Sequence, residues 1–135
     1  MSDAPALVRR YYDEVLTGGR IEVLDELLAP GFFSHGGGGA SADAAGYRAA
    51  VAATQTALPD LEVRIEDQLA DGDRVATRWT AEATHQGAYG GLEPTGRRVT
   101  VSAIHIHRVE GDRFAELWEE IDLLGLLRQL GALGG

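Results

Sequence analysis

Two histidines one residue apart, His105 and His107, are followed beyond a short turn by Trp118 and Asp122 in the stretch AIHIHRVEGDRFAELWEEIDLLGLLRQL. Imidazole and carboxylate groups take up and return protons near neutral pH, so their meeting would support general acid–base chemistry. Whether they meet depends on strand pairing. Gly111-Asp112 flanked by alternating residues is a two-residue hairpin signal, joining a strand at 99–109 to one at 114–123. Counting outward from the turn, Val109 faces Phe114, His107 faces Glu116, His105 faces Trp118 and Val101 faces Asp122. Alternation then gathers His105, His107, Trp118 and Asp122 on one face, and Ile104, Ile106, Leu117 and Ile121 on the other. A one-residue slip would break this grouping.

Each group has more than one physical reading. A half-exposed sheet puts its apolar face on the core and its polar face in water. A sheet wrapped around a cavity does the reverse, lining a pocket with polar groups and packing its aliphatic face on another subunit. Asp122 stands at a strand-to-helix junction, where an aspartate caps the helix or, in an apolar pocket, serves as a base strengthened by desolvation. His105, His107 and Asp122 together would also make a two-histidine, one-carboxylate metal set.

The elements that must position these residues are legible from periodicity. A helix over 5–17, capped by Ser2 or Asp3, buries Leu7, Tyr11 and Val15 with Val8 and Tyr12 beside them, and stops at Gly18-Gly19. A second helix over 20–28 buries Ile21, Leu24, Leu27 and Leu28 and ends at Pro30-Gly31. Phe32, Phe33, Ser34 and His35 lead into the glycine run 36–39, which reads as a flexible loop. No strand is predicted before it and no Lys follows, which argues against a phosphate-binding loop. His35 beside Phe33 is either a surface histidine or a pocket residue with the loop as lid. Ser41 is the predicted cap of a third helix running to Leu58, with Tyr47, Val51, Thr54 and Leu58 on its buried face.

The rest is β-rich. A strand over 61–69 turns at Asp71-Gly72 into one over 74–84, and a loop HQGAYGGLEPTGRR leads to the hairpin. In 74–84, Val75, Thr77, Trp79 and Ala81 alternate with Ala76, Arg78, Thr80 and Glu82, and the pattern leaves open whether Arg78 or Trp79 points inward. Three helices, four long antiparallel strands and a short closing helix make an α+β domain. A strongly curved antiparallel sheet wrapped over the N-terminal helices gives a cone-shaped α+β barrel enclosing a pocket.

Bulk properties bound the partners. The chain of 135 residues reads as one domain, with 44% apolar and 24% charged residues. Its net charge is −9, and every positive charge is an arginine, because Lys is absent. An acidic chain without a basic stripe argues against nucleic acid and anionic membranes. With no cysteine there is no disulfide, thiolate nucleophile or zinc–sulfur site. No apolar run resembles a signal peptide or membrane span, so a cytoplasmic protein is expected.

Four segments, VRRYYDEVLTGG, LDELLAPGFFSH, ALPDLEVRIED and THQGAYGGLEPTGRRVTVSAIHIHRVEGDRFAELWEEIDLLGLLRQLG, resemble the SnoaL-like polyketide cyclases and predicted ester cyclases of the nuclear transport factor 2-like superfamily. The His-Gln-Gly…Pro-Thr-Gly-Arg loop and the Trp118…Asp122…Gln129-Leu130-Gly131 ending carry most of the likeness. The resemblance implies a cone fold, no metal, no organic cofactor, a dimer and a place in antibiotic biosynthesis. It implies an intramolecular aldol ring closure of a hydrophobic polyketide-like ketone or ester. The matching acid–base residue is Asp122, with His105 facing it and His107, His35 and His85 at pocket positions. Trp118, Phe33 and Tyr12 are the expected aromatic walls of that pocket.

Two other function classes stand beside this one. An epoxide hydrolase of the limonene type would need an Asp-Arg-Asp set; Arg78 matches its arginine, but Thr80 occupies its partner's place and the chain has no Asn. A non-catalytic small-molecule-binding module would need a pocket without a perturbed carboxylate. In either case the apolar face of Ile104, Ile106, Leu117 and Ile121 predicts a homodimer packed sheet against sheet.

Overall fold

The computed structural model describes residues 3–36 and 41–132. Helix α1 (Ala4–Arg10) starts where Asp3 accepts a hydrogen bond from the Ala6 N–H at 3.2 Å, with Pro5 in its first turn. It continues directly into a π-helical segment, Tyr11–Thr17. A 3₁₀ turn, Ile21–Val23, leads to α2 (Leu24–Leu27), and α3 spans Ala44–Ala57. The cap of α3 is Asp43, whose carboxylate accepts the Gly46 N–H at 2.9 Å. Ser41, the predicted cap, lies instead in a short strand.

The sheet has six strands: β1 (Leu28–Gly36), β2 (Ser41–Asp43), β3 (Glu62–Asp71), β4 (Arg74–Thr84), β5 (Arg98–Glu110) and β6 (Arg113–Ile121), in the order β2-β1-β6-β5-β4-β3. The four C-terminal strands are the expected antiparallel meander. The sheet is nevertheless mixed, because β1 runs parallel to β6. Residues 28–36 were expected as the end of a helix and a loop. Pro30-Gly31 reads as a stop signal, but it sits where the β1–β6 register shifts between Leu28 and Phe33. A proline without an N–H is tolerated at such an irregularity. Gly36 ends β1, and the remainder of the predicted glycine loop or lid lies outside the described residues. Helices α1 and α3 and the π segment cover the concave face, with Tyr11, Tyr12, Leu24, Leu27 and Phe114 at the core.

The hairpin turn is as expected, with Glu110 paired to Arg113 and Gly111 at φ +61°. Its register is not. Val109 pairs with Phe114, but Arg108 already pairs with Glu116, so Ala115 is an extra residue on β6. Such a bulge moves every later side chain to the opposite face. Opposite His107 stands Leu117, and opposite His105 stands Glu119 rather than Trp118. Leu117 is therefore fully buried and leaves the predicted apolar outer patch, while Trp118 moves onto the outer face beside Ile106.

Helix α4 (Leu123–Gln129) closes the sheet. Gln129 donates to the Thr100 carbonyl and accepts from the Thr100 N–H, both at 2.7 Å, continuing the ladder where β6 has ended. The loop between β4 and β5 is tied to α3: the N–H groups of Gln86 and Gly87 both donate to the Ala57 carbonyl, at 2.9 and 3.1 Å. A Cβ on Gly87 would lie 2.2 Å from the Thr56 carbonyl oxygen, so only glycine allows this approach. Among the described residues no helix is long and apolar enough to cross a membrane. Gly87→Ala is expected to lower stability by about 1–3 kcal/mol, whereas Gly31→Ala, with open space around its Cβ, should stay close to wild type. Chemical denaturation of both variants checks this.

Candidate active site

A cavity of about 490 Å³ lies between the concave sheet face and the π segment and α3. Much of its wall is apolar, including Leu16, Ala42, Val51 and Leu61, with Ser34, Tyr47, His105 and Glu119 as polar groups. Tyr11 and Tyr12 are consecutive, yet both are buried, an arrangement helped by the π-helical winding that holds them. Their rings stand edge to face at 5.1 Å and reach different partners. The Tyr11 hydroxyl pairs closely with that of Tyr47 from α3. The Tyr12 hydroxyl bonds His105 Nδ1 at 2.7 Å.

The other ring nitrogen of His105, Nε2, lies 2.7 Å from Glu119 Oε2. His105 is 1% exposed, whereas the Glu119 side chain keeps 25% of its surface and faces the cavity. The bulge at Ala115 is what brings these two strand neighbours together. Burial pushes the phenol of Tyr11 well above its ordinary range, with Tyr47 adding to the effect. Burial likewise raises Tyr12 and Tyr47, and the Glu119 charge raises both further. All three phenols thus stay protonated as hydrogen-bond donors beside a carboxylate. That combination can remove a proton from a substrate carbon and stabilise the oxyanion that results.

The other residues expected at the site are dispersed. Asp122 is exposed, does not line the cavity, and caps α4 by accepting the Gly125 N–H at 2.9 Å. Its close fit also requires Gly125, where a Cβ would meet Asp122 Oδ2 at 2.2 Å. The expected acid–base position is therefore occupied by a helix cap, and the inward carboxylate is three residues earlier. Trp118 and His35 stack at 5.4 Å on the outer face, with Phe33 at the edge of His35. His35 Nε2 meets Glu116 Oε2 at 2.6 Å and holds Glu116 below the usual carboxylate range. His85 is fully buried in the β4–β5 loop, where its Nδ1 accepts the Thr95 N–H at 3.1 Å. Tyr12 lies behind the cavity wall, in contact with it through His105. The metal set is not assembled, since Asp122 stands apart from the two histidines. Trp79, not Arg78, points inward and lines the cavity; Arg78 pairs on the outside with Asp67 at 2.8 Å.

Comparison with known proteins adds to this geometry. The sequence profile of the SnoaL-like polyketide cyclases matches residues 6–130. The chain belongs to the SnoaL-like polyketide cyclase family. Solved structures agree: a candidate polyketide cyclase from Acidithiobacillus ferrooxidans is 32% identical, with a TM-score of 0.85 over 97% of this chain and 96% of that one. IdmH from Streptomyces antibioticus, also described as a candidate polyketide cyclase, is 30% identical at a TM-score of 0.85, covering 96% and 99% of the two chains. TsrD from Streptomyces laurentii is 30% identical at a TM-score of 0.85, covering 98% and 99%. No curated protein matches the chain.

In this SnoaL-like domain the cavity-lining residues Glu119, Tyr11, Tyr47 and Ser34 were not singled out from sequence, and Trp79 was left open against Arg78. One signal was present: Phe114-Ala115 are consecutive and both buried, which breaks strand alternation and marks a bulge. His107 is buried beneath Tyr11 and Phe114, at ring distances of 5.4 and 4.5 Å. Burial, and then the neighbouring His105, hold its pKa well below the ordinary histidine value. An unfolded chain therefore binds a proton at His107 that the folded chain refuses. The stability this provides is full above about pH 6.5 and declines as pH falls towards the depressed folded value. Thermal unfolding between pH 7 and 5 should show a falling midpoint, and His107→Leu should flatten that slope.

Proposed function

We propose that the chain closes a ring within a neutral, hydrophobic polyketide-like ketone or ester by intramolecular aldol addition, with Glu119 as base and acid. The observation that carries this reading is the Glu119–His105 pair set in a largely apolar cavity whose lining contains no cationic side chain. Glu119 takes a proton from a carbon next to a carbonyl, leaving an enolate. The enolate carbon attacks a second carbonyl of the same molecule, forming a carbon–carbon bond and an alkoxide. Glu119 returns its proton to that alkoxide, so product and substrate are isomers. The paired phenols of Tyr11 and Tyr47 supply the donor for the enolate oxygen, and Trp79 gives a flat wall. The steps draw on no metal or organic cofactor. A lining with a carboxylate and no Arg disfavours carboxylate or phosphate substrates.

Incubation with neutral polyketide-like diketo esters should yield products of unchanged mass by liquid chromatography and mass spectrometry. Glu119→Gln should lower the rate by about 10²–10⁴-fold, while Asp122→Asn, which still caps α4, should keep it. Undiminished turnover by Glu119→Gln would overturn the assignment.

The outer face supports a homodimer. Leu69, Ala76, Ile106 and Trp118 form one cross-strand rung, reached at its end by His35 of β1. Leu69 is 74% exposed on it. The adjoining rung, Asp71, Arg74, Arg108 and Glu116, carries both signs of charge, so a twofold-related copy can set acid against base. Sedimentation should give a dimer at micromolar concentration and a monomer for Ile106→Glu; a monomeric wild type would rule this interface out.

A further inference from the structure

We infer that Tyr12 is a positioning residue that keeps His105 neutral and protonated on Nε2. The inference rests on the proposed role of Glu119 only for its consequence, not for its geometry.

Gln68, Thr77, His105 and Glu119 are successive partners across β3, β4, β5 and β6, one rung of the sheet. Two register shifts, one in β3 and one at Ala115, align it. Tyr12 drops from the π segment onto the middle of this rung. At the surface end, Arg9 donates to Gln68 Oε1 at 2.8 Å. A guanidinium can only donate, so the Gln68 amide must present its oxygen to Arg9 and its NH₂ to Thr77, which it meets at 3.5 Å. Thr77, fully buried, is the next residue of the rung. The buried Tyr12 hydroxyl carries one proton, and among the described residues its hydrogen-bond partner is His105 Nδ1 at 2.7 Å, which accepts that proton. His105 must carry its proton on Nε2 and donate it to Glu119 at 2.7 Å. An ionised carboxylate can only accept. A protonated phenol on one side of the ring and an acceptor-only carboxylate on the other thus agree on one tautomer.

The consequence concerns charge. With Nδ1 occupied by a donor, Glu119 receives a neutral hydrogen bond from His105 rather than a full positive charge. The groups around His105 are Tyr11 and Tyr12 from the π segment, Trp79 on β4, His107 on its own strand and Glu119 on β6.

Long-range ¹H–¹⁵N correlation of the full chain, labelled at histidine, reads tautomer and charge without any substrate. His105 should be neutral with the proton on Nε2 at pH 7. Tyr12→Phe should raise its titration midpoint by about one pH unit or more. Amide spectra confirm that each variant is folded; Tyr12→His, which restores a ring donor, replaces Tyr12→Phe if that variant is not. An imidazolium or an Nδ1–H tautomer in the wild type, or an unmoved midpoint in the Tyr12 variant, would overturn the inference. Because these readouts use no substrate, their failure leaves the Glu119→Gln turnover assay independent.

Discussion

The site depends on one irregularity of hydrogen bonding, the extra residue Ala115 in β6. Without it, regular pairing from the Gly111 turn would point Trp118 into the cone and Glu119 out to solvent. With it, Glu119 meets His105 across the β5–β6 pair, Leu117 joins the core and Trp118 stacks on His35 outside. A bulge locally disrupts the ladder and bends its strand. The cost is offset because both residues at the bulge, Phe114 and Ala115, are buried. Packing of the hairpin base and placement of the carboxylate are the same event.

The separation of charge follows from that arrangement. Arginines lie on the outside, where Arg78 pairs with Asp67 and Arg98 with Asp60. Such exposed pairs contribute little stability, but they leave the cavity without a cation. Inside, the carboxylate is surrounded by phenols and one imidazole, groups that give hydrogen bonds without giving charge. A carboxylate solvated in this way is held in place by neutral donors. The same low polarity makes His107, one step deeper on β5, a neutral packing residue rather than a second catalytic histidine.

Much of the fold was legible because it rests on local signals. Glycine and proline punctuation, the Asp3 cap and the alternation of β4 and β5 each act within a few residues. β1 was not, since Pro30-Gly31 signals a break and only the parallel partner β6, far along the chain, makes a strand of the segment. His105 was expected in the pocket and lines the cavity, whereas its partner Glu119 was not singled out. The identity of the partner turns on a parity count from the turn, and a single inserted residue inverts it. Asp122 drew attention for a sound local reason, the strand-to-helix junction, and its capping bond to Gly125 satisfies that local reason in full. Tyr11 was read as part of a helix stripe, with Tyr12 beside it as an expected pocket wall, because the change from α to π winding that buries both leaves little mark in the pattern.

The hydrogen-bond direction and the apolar cavity together narrow the class of reaction. On the proton order inferred above, His105 already holds a proton on the nitrogen facing Glu119 and cannot accept another there. A proton taken up by Glu119 then has only the substrate as its next acceptor. Reactions that consume a water molecule need a second polar group to orient that water, as the epoxide-opening alternative would from Arg78. Arg78 is on the outer face, paired with Asp67, and the largely apolar wall offers no replacement cation. A reaction in which one carboxylate borrows and returns a single proton, within one molecule of substrate, is the chemistry we propose for this site.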